Sequence, residues 1–157
     1  MVCSCSSPTT PSPTQVAGVW AQTLRVTAST GGECLAASLR DSVGESSNRT
    51  LTVAQSGSSL TATSPAGPDV CSWTGTVASD RVLLNFARCG GSPDFVGLRC
   101  DDGSGIRDLR QVSDVIDVTV VGNTATGTET VTFNIQVSGT QNSVGTWTET
   151  WAVSMTR

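Results

Sequence analysis

The fold is decided by residues 107–137, RDLRQVSDVIDVTVVGNTATGTETVTFNIQV, which predict two long β-strands joined by a tight turn. The central pair Gly122-Asn123 is typical of a two-residue hairpin turn, because both residue types tolerate positive φ. Apolar residues alternate with polar ones in both strands and so share one face: Val112, Ile116, Val118 and Val120 in the first, then Val131, Phe133 and Ile135 in the second. The stretch therefore predicts an antiparallel hairpin with one buried side.

The rest of the chain repeats this alternation in short runs between turn signals. The eight predicted strands are, in order, Val19–Val26, Thr50–Gln55, Leu60–Thr63, Cys71–Val77, Arg81–Cys89, Arg107–Val121, Thr124–Val137 and Gly145–Arg157. A sequential antiparallel meander of this length usually removes its edges by closing on itself. We therefore predict an all-β fold, an eight-stranded antiparallel up-and-down barrel, with a two-sheet β-sandwich as the alternative.

Composition excludes several classes of function. The net charge is −4 and no basic cluster occurs, which argues against nucleic acid and against an anionic membrane surface as partners. The chain has no His, the usual general base at neutral pH and the usual ligand of zinc and haem. We expect no catalytic residues, no metal and no cofactor, and hence a protein that is not an enzyme.

The six cysteines predict disulfides. With no His and no CxxC pair, disulfides are favoured over a metal site or a redox motif, which implies an oxidising, extracytoplasmic compartment. In an up-and-down barrel Cys34, Cys71, Cys89 and Cys100 fall at the same open end. Two pairings are sterically reasonable: Cys34–Cys71 with Cys89–Cys100, or Cys71–Cys89 with Cys34–Cys100.

The amino-terminal residues 1–15 differ from the rest of the chain. They are rich in Ser, Thr and Pro, and we expect a disordered tether before a single barrel domain at 16–157. Cys3, followed by this tail, resembles the lipidated first residue of a bacterial lipoprotein. That resemblance implies a periplasmic or cell-surface lipoprotein that touches the membrane only through its anchor. The alternative is a secreted protein in which Cys3 and Cys5 pair with each other or are incidental.

Two motifs carry a resemblance to a known family. Gly18-Val19-Trp20 in the first strand is similar to the G-x-W that opens the barrels of lipocalins and related calycins. Arg157, at the end of the last strand, resembles the basic residue that packs across that Trp in those barrels. The resemblance implies structural roles for Trp20 and Arg157 at the closed end of a ligand-binding barrel.

The candidate ligand-binding residues are large or acidic side chains at strand positions that are predicted to face the barrel interior. They are Trp73, Phe86, Asp114, Phe133, Trp147, Glu149 and Trp151. Glu149 between two indoles is suited to orient a cationic group; the alternative is an ion pair with Arg25 or Arg110. Asp114 is either a second inward acid or a solvated strand end.

These features predict a non-enzymatic, lipocalin-like binding protein of a bacterial envelope, with a small apolar or amphipathic ligand in the barrel. The alternative is a protein-binding module, such as an extracytoplasmic protease inhibitor or a surface interaction protein. A cavity of several hundred cubic ångströms in the interior favours the first function. A filled interior favours the second.

Overall fold

The computed structural model describes residues 13–32, 34–35, 41–66, 69–89 and 95–157, and every regular element within them is a β-strand. The strands are β1 (Gly18–Gly31), β2 (Ser46–Ser56), β3 (Ser59–Ala66), β4 (Asp69–Ala78), β5 (Arg81–Arg88), β6 (Phe95–Arg99), β7 (Ile106–Val121), β8 (Thr124–Val137) and β9 (Ser143–Thr156). Among these residues there is no helix with the length and apolar character needed to span a membrane. The predicted lipidation residue Cys3 lies outside the described residues.

Eight of these strands close into an antiparallel barrel. Their hydrogen-bonded order is β1-β2-β3-β4-β5-β7-β8-β9, and pairing of β9 with β1 completes the ring. Each barrel strand thus has a neighbour on both sides, which satisfies the backbone donors and acceptors of a small sheet protein. The predicted up-and-down barrel is confirmed, and the sandwich alternative is wrong.

One strand was missed by the sequence prediction. β6 pairs with the beginning of β7, where Leu98 lies opposite Arg107 and Arg99 opposite Ile106. It is needed because β5 reaches only as far as Val115 along β7 and leaves the upper part of that long strand without its second neighbour. A five-residue segment interrupted by Gly97, which has φ +70°, shows no alternation that could have marked it.

A β-bulge corrects the predicted phase of β7. The register with β8 shifts between Gln111 and Ser113, so that the intervening Val112 is 45% exposed and not inward as predicted. Asp114 and the residues after it keep the predicted inward phase, whereas Leu109 reaches the interior from the other side of the bulge. A bulge changes which alternate positions face inward, and the apolar pattern alone does not reveal it.

Two apolar clusters fill the inside of the sheet. We call them the lower core, near the start of β1, and the upper core, near the end of β1, which we call the mouth. The lower core includes Trp20, Leu51, Val53, Leu84, Ile116, Val118 and Met155. The upper core consists of Leu35, Leu109, Val131, Phe133, Ile135 and Trp147. The long strands β1, β7, β8 and β9 extend past the shorter β3, β4 and β5, and the upper core packs on this extension.

Candidate functional site

The lower half of the barrel is filled by its own side chains. The cavity that remains there, lined by residues such as Trp20, Leu51 and Ile116, has a volume of about 20 Å³ and is entirely apolar. That volume is about the space of a single water molecule and is far too small for an organic ligand. The predicted ligand position deep in the barrel is therefore not available in this structure.

Trp20 and Arg157 lie together at the closed end. Trp20 is buried and its indole N–H donates to the carbonyl of Val16 over 2.9 Å. The Arg157 guanidinium carbon lies 4.9 Å from the centre of the Trp20 ring. Arg157 also donates to the Asn123 side chain, at 3.3 Å, and to the carbonyl of Ala17, also at 3.3 Å. Trp20 and Arg157 thus pack against each other below the lower core.

A polar cluster separates the lower core from the upper core. We define the polar cluster as Gln22, Arg49, Trp73, Asp114 and Glu129, contributed by β1, β2, β4, β7 and β8. Arg49 donates to Glu129 at 2.5 Å and to Gln22 at 2.6 Å, and Gln22 donates to Glu129 at 3.3 Å. The guanidinium of Arg49 lies over the Trp73 ring, 5.1 Å from its centre. Because Glu129 is 2% exposed and Arg49 22%, this ion pair joins the interior to solvent.

Asp114 is the unusual member of the polar cluster. Its side chain is 2% exposed, and burial raises its pKa to about 8; the charge of Glu129 and a hydrogen bond to it add to the rise, against the influence of Arg49 and Trp73. The indole nitrogen of Trp73 and one carboxyl oxygen of Asp114 are buried without a partner at normal hydrogen-bond geometry, although the two groups are neighbours. Asp114 is thus predominantly a neutral acid at pH 7, next to the carboxyl group that pairs with Arg49.

The other predicted acid, Glu149, lies higher in the barrel. It is buried, and burial raises its pKa despite a short hydrogen bond from the hydroxyl of Ser42. Ser42 belongs to the loop between β1 and β2, so this bond fastens the loop over the barrel. Among the described residues Ser42 is therefore its hydrogen-bond partner, rather than the predicted alternatives Arg25 and Arg110.

Aromatic stacking organises the upper core. Phe133 and Trp147 face each other on β8 and β9, with ring centres 5.4 Å apart and an interplanar angle of 25°. The Trp147 indole N–H donates to the hydroxyl of Ser29 over 2.9 Å. Both rings are nearly fully buried. They form the floor of the mouth and are not exposed to a ligand in the lower barrel.

A pocket of about 250 Å³ opens above this floor. We call it the mouth pocket; its lining residues are Cys34, Asp102, Arg107, Ile135, Val144 and Gly145. One wall is apolar and comes from β8 and β9. The other wall carries a thiol, a carboxylate and a guanidinium, so the pocket is amphipathic.

Arg107 supplies the positive charge of the mouth pocket. Its terminal nitrogens donate to the carbonyl of Ile106 at 3.1 Å and to the carbonyl and hydroxyl of Ser104, both at 3.2 Å. Its Nε is buried and has no hydrogen-bond partner. The nearby Asp102 accepts hydrogen bonds from the hydroxyl and the backbone N–H of Ser104, and these bonds lower the pKa of its carboxyl group. Arg107 is therefore held in place by neutral acceptors and keeps one donor unused.

The four barrel cysteines lie at the mouth, as the topology predicts. Cys71 and Cys89 form a disulfide between β4 and the end of β5, which selects the second of the two predicted pairings for this bond. Cys34 and Cys100 are thiols in hydrogen-bond contact with each other. Cys34 and Cys71 are therefore not a pair, and neither are Cys89 and Cys100.

The predicted ligand-binding residues are divided among three regions. Trp73 and Asp114 meet in the polar cluster, and Phe133 and Trp147 meet in the upper core. The half-buried Phe86 packs against the lower core, and the half-buried Trp151 contacts both cores. None of the seven predicted residues, Glu149 included, lines the lower cavity or the pocket at the mouth.

Sequence reasoning missed four polar residues that matter here. Gln22, Arg49 and Glu129 each stand two positions from an inward apolar residue, so the strand period contained the signal that would have found them. Arg107 stands two positions before the buried Leu109, but the bulge at Val112 puts both residues outside the predicted inward phase of β7. Its role arises from contacts with Ser104 in a loop whose conformation the sequence does not reveal.

Comparison of the chain with protein-family models, with curated proteins and with solved structures gave no match.

Proposed function

We propose that this protein is a non-enzymatic, extracytoplasmic binding protein of lipocalin-like type, and that its ligand is a small amphipathic acid held in the mouth pocket. The observation that carries the proposal is the guanidinium group of Arg107 in a pocket that the apolar Ile135 and Val144 also line. A carboxylate or similar head group forms strong, charge-assisted hydrogen bonds with a guanidinium group. Ile135 and Val144 offer the apolar wall for the remainder of such a molecule.

The filled lower barrel favours the protein-binding alternative over a ligand deep in the interior, and it leaves a small ligand the mouth pocket. A cavity of about 20 Å³ below and a pocket of about 250 Å³ above favour a short molecule at the mouth over a long chain threaded into the barrel. The Cys71–Cys89 disulfide joins β4 to the residue after β5, and the Ser42–Glu149 hydrogen bond joins the segment before β2 to β9. Such cross-links reduce the ordering cost of binding.

A fluorescence titration tests this function. The signal is intrinsic Trp fluorescence, since Trp147 stands two positions after Gly145 of the mouth pocket on β9. The probes are fatty acids of increasing length with the matched alcohols and alkylamines. We expect the acids to bind, the alcohols to bind less well, and affinity to stop rising once the chain exceeds the pocket. Equal responses to all three head groups, or none, would contradict the proposal.

Arg107→Ala is the decisive variant. We expect it to weaken binding of the acids by about tenfold or more, the usual worth of a hydrogen bond to a charged group, with little effect on the alcohols. Arg110→Ala is the matched control, because Arg110 lies on the same strand but is exposed. Equal losses in both variants would rule out a specific head-group site at Arg107.

A second candidate function rests on a different observation. Most of the exposed large apolar residues among the described residues lie at the mouth end: Val43, Val70, Val96, Ile106 and Val144. An apolar rim is typical of a surface that contacts another protein. This favours a protein-binding module, for example a protease inhibitor that presents its mouth loops.

An inhibition assay separates the two candidates. Val96→Asp and Val144→Asp are compared with Val121→Asp, whose residue is 72% exposed at the opposite end of the barrel. Stoichiometric inhibition of trypsin, chymotrypsin or subtilisin that is lost only in the first two variants favours the inhibitor. No inhibition of any of the three proteases argues against it.

A further inference from the structure

The second pair of cysteines is placed by the backbone. Leu35 forms an isolated antiparallel bridge with Cys100, and the N–H of Asp101 donates to the carbonyl of Cys34 over 2.9 Å. Cys100 is in turn fixed by its own N–H, which donates to the carbonyl of Gly105 over 3.0 Å. The two thiols are thus held next to each other by main-chain contacts.

We infer that Cys34 and Cys100 are the site of a second disulfide, which joins the loop after β1 to the segment between β6 and β7 at the wall of the mouth pocket. The main-chain pairing already brings the two segments together, so the bond requires little rearrangement of the chain. Together with Cys71–Cys89 it would fasten the mouth at two points.

The chemistry needs an oxidant, for which a small-molecule disulfide such as oxidised glutathione suffices. Cys34 is half-buried and Cys100 is buried, so Cys34 is the thiol that an external reagent reaches. Its thiolate, after loss of the proton to solvent, attacks one sulfur of the reagent, breaks the S–S bond and releases one glutathione thiolate. The sulfur of Cys100, after losing its proton, then displaces the second glutathione, so the two electrons lost by the cysteines reduce the reagent.

The order of bond formation follows from chain topology. Cys71 and Cys89 are 18 positions apart at the two ends of the β4–β5 hairpin, so that bond needs only local structure. Cys34 and Cys100 are 66 positions apart, and their contact requires the closed barrel with β6 in place. The entropy lost in closing a long loop must be offset by native contacts. We therefore expect the Cys34–Cys100 disulfide to form after the Cys71–Cys89 disulfide.

Peptide mapping tests the assignment on the full chain. Trypsin cleaves after every Arg and places Cys34 in peptide 26–40, Cys100 in 100–107, Cys71 in 50–81 and Cys89 in 89–99, while Cys3 and Cys5 stay in 1–25. The protein is treated with oxidised glutathione, its remaining thiols are alkylated in denaturant, and the digest is analysed by mass spectrometry without reduction. We expect peptide 26–40 joined to 100–107. Recovery of both peptides alkylated, or of either one joined to any other peptide, overturns the inference.

Two further measurements test the inference without depending on how much cross-linked peptide is recovered. Burial, followed by the neighbouring Cys100 thiol, raises the pKa of Cys34 to about 11, so the rate of oxidation should rise about tenfold per pH unit from pH 7 to pH 9. Cys34→Ser should lower the Tm of the oxidised protein by roughly 10 °C but leave that of the reduced protein nearly unchanged. Cys5→Ser is the control and should change neither. If Cys34→Ser lowers the Tm of the oxidised and the reduced protein equally, the loss comes from altered packing, and this would contradict a disulfide.

Discussion

The carboxyl groups of Asp114 on β7 and Glu129 on β8 are in hydrogen-bond contact inside the barrel, with both side chains 2% exposed. Two acids in this position cannot easily ionise together, because a second negative charge at this depth lacks solvation and is repelled by the first. Arg49 neutralises Glu129, and Asp114 retains its proton. The barrel interior therefore contains a group that titrates near neutral pH, and its effect on stability can be measured.

Asp114→Asn should remove a pH dependence of stability. The pKa of Asp114 is about 8 in the folded protein and near 3.8 in the unfolded chain, so between these values the folded state binds more protons. Stability should therefore fall as pH rises from about 4 to about 8, by at most about 1.4 kcal/mol per pH unit from this group. Urea unfolding at several pH values should show this fall in the parent and lose it in Asp114→Asn.

The control for that experiment lies on the same strand. Asp117 is paired with Arg81 at the surface, and this contact lowers the pKa of Asp117. Its contribution to the pH dependence of stability therefore has the opposite sign to that of Asp114. Asp117→Asn should leave the fall above pH 5 unchanged. An unaltered pH dependence in Asp114→Asn would show that another group causes it.

Arg49→Met should destabilise the protein because it leaves Glu129 buried without its cation. Removing one partner of a largely buried ion pair usually costs about 3 kcal/mol, and the double variant Arg49→Met with Glu129→Gln should recover part of that loss. Arg25→Met, on the exposed side of β1, should change the free energy of unfolding by no more than about 0.5 kcal/mol. Urea titration measures all three. Equal stability of the single and double variants would mean that the charge of Glu129 does not matter.

Asp108→Asn should loosen the attachment of β6. The carboxylate of Asp108 accepts hydrogen bonds from the backbone N–H of Gly97 at 3.0 Å, the hydroxyl of Ser138 at 2.9 Å and the backbone N–H of Gly139 at 3.2 Å. An amide has one acceptor oxygen and cannot make all three bonds. Hydrogen exchange at pH 7 should become faster in β6 and in the turn after β8, with the β2–β3 hairpin unchanged.

The same hydrogen bonds predict that acid weakens the attachment of β6. They lower the pKa of Asp108 in the folded protein. Its contribution to stability is therefore present above the ordinary pKa of Asp and is lost as the pH falls through the lowered pKa. Parent and variant should therefore exchange at similar rates in β6 at pH 2. A difference that persists unchanged there would assign the effect to packing.

Arg157→Ala should open the closed end of the barrel. It removes the guanidinium over Trp20 and the bonds to Ala17 and Asn123, a loss of about 1 kcal/mol for partly exposed contacts. Trp20 should become more accessible, so acrylamide quenching of Trp fluorescence should increase. The acrylamide quenching of Arg157→Lys should lie between that of the parent and that of Arg157→Ala. Unchanged quenching in Arg157→Ala would mean that the lower core, not Arg157, excludes solvent from Trp20.

The strand period predicted most of the fold. Alternation in residues 107–137 and the Gly122-Asn123 turn were sufficient for the β7–β8 hairpin, which the register confirms from Val121–Thr124 upward. The same period already marked Glu129 as inward, two positions before Val131. What it did not reveal was the bulge at Val112 or the short strand β6, since both depend on backbone geometry rather than on apolar spacing.

By itself, the sequence determined most of the side chains that face the interior of an all-β barrel, the bulged start of β7 excepted, because alternation with a period of two is a local property. Only the tertiary structure decided which of those side chains meet. Gln22 bonds to Glu129 and Ser42 to Glu149, each across 107 positions, and Cys71 bonds to Cys89 while Cys34 contacts Cys100. Such contacts are set by barrel closure and by bulges, which bring distant strands to the same height. For that reason the polar cluster and the mouth pocket became visible only in the folded chain.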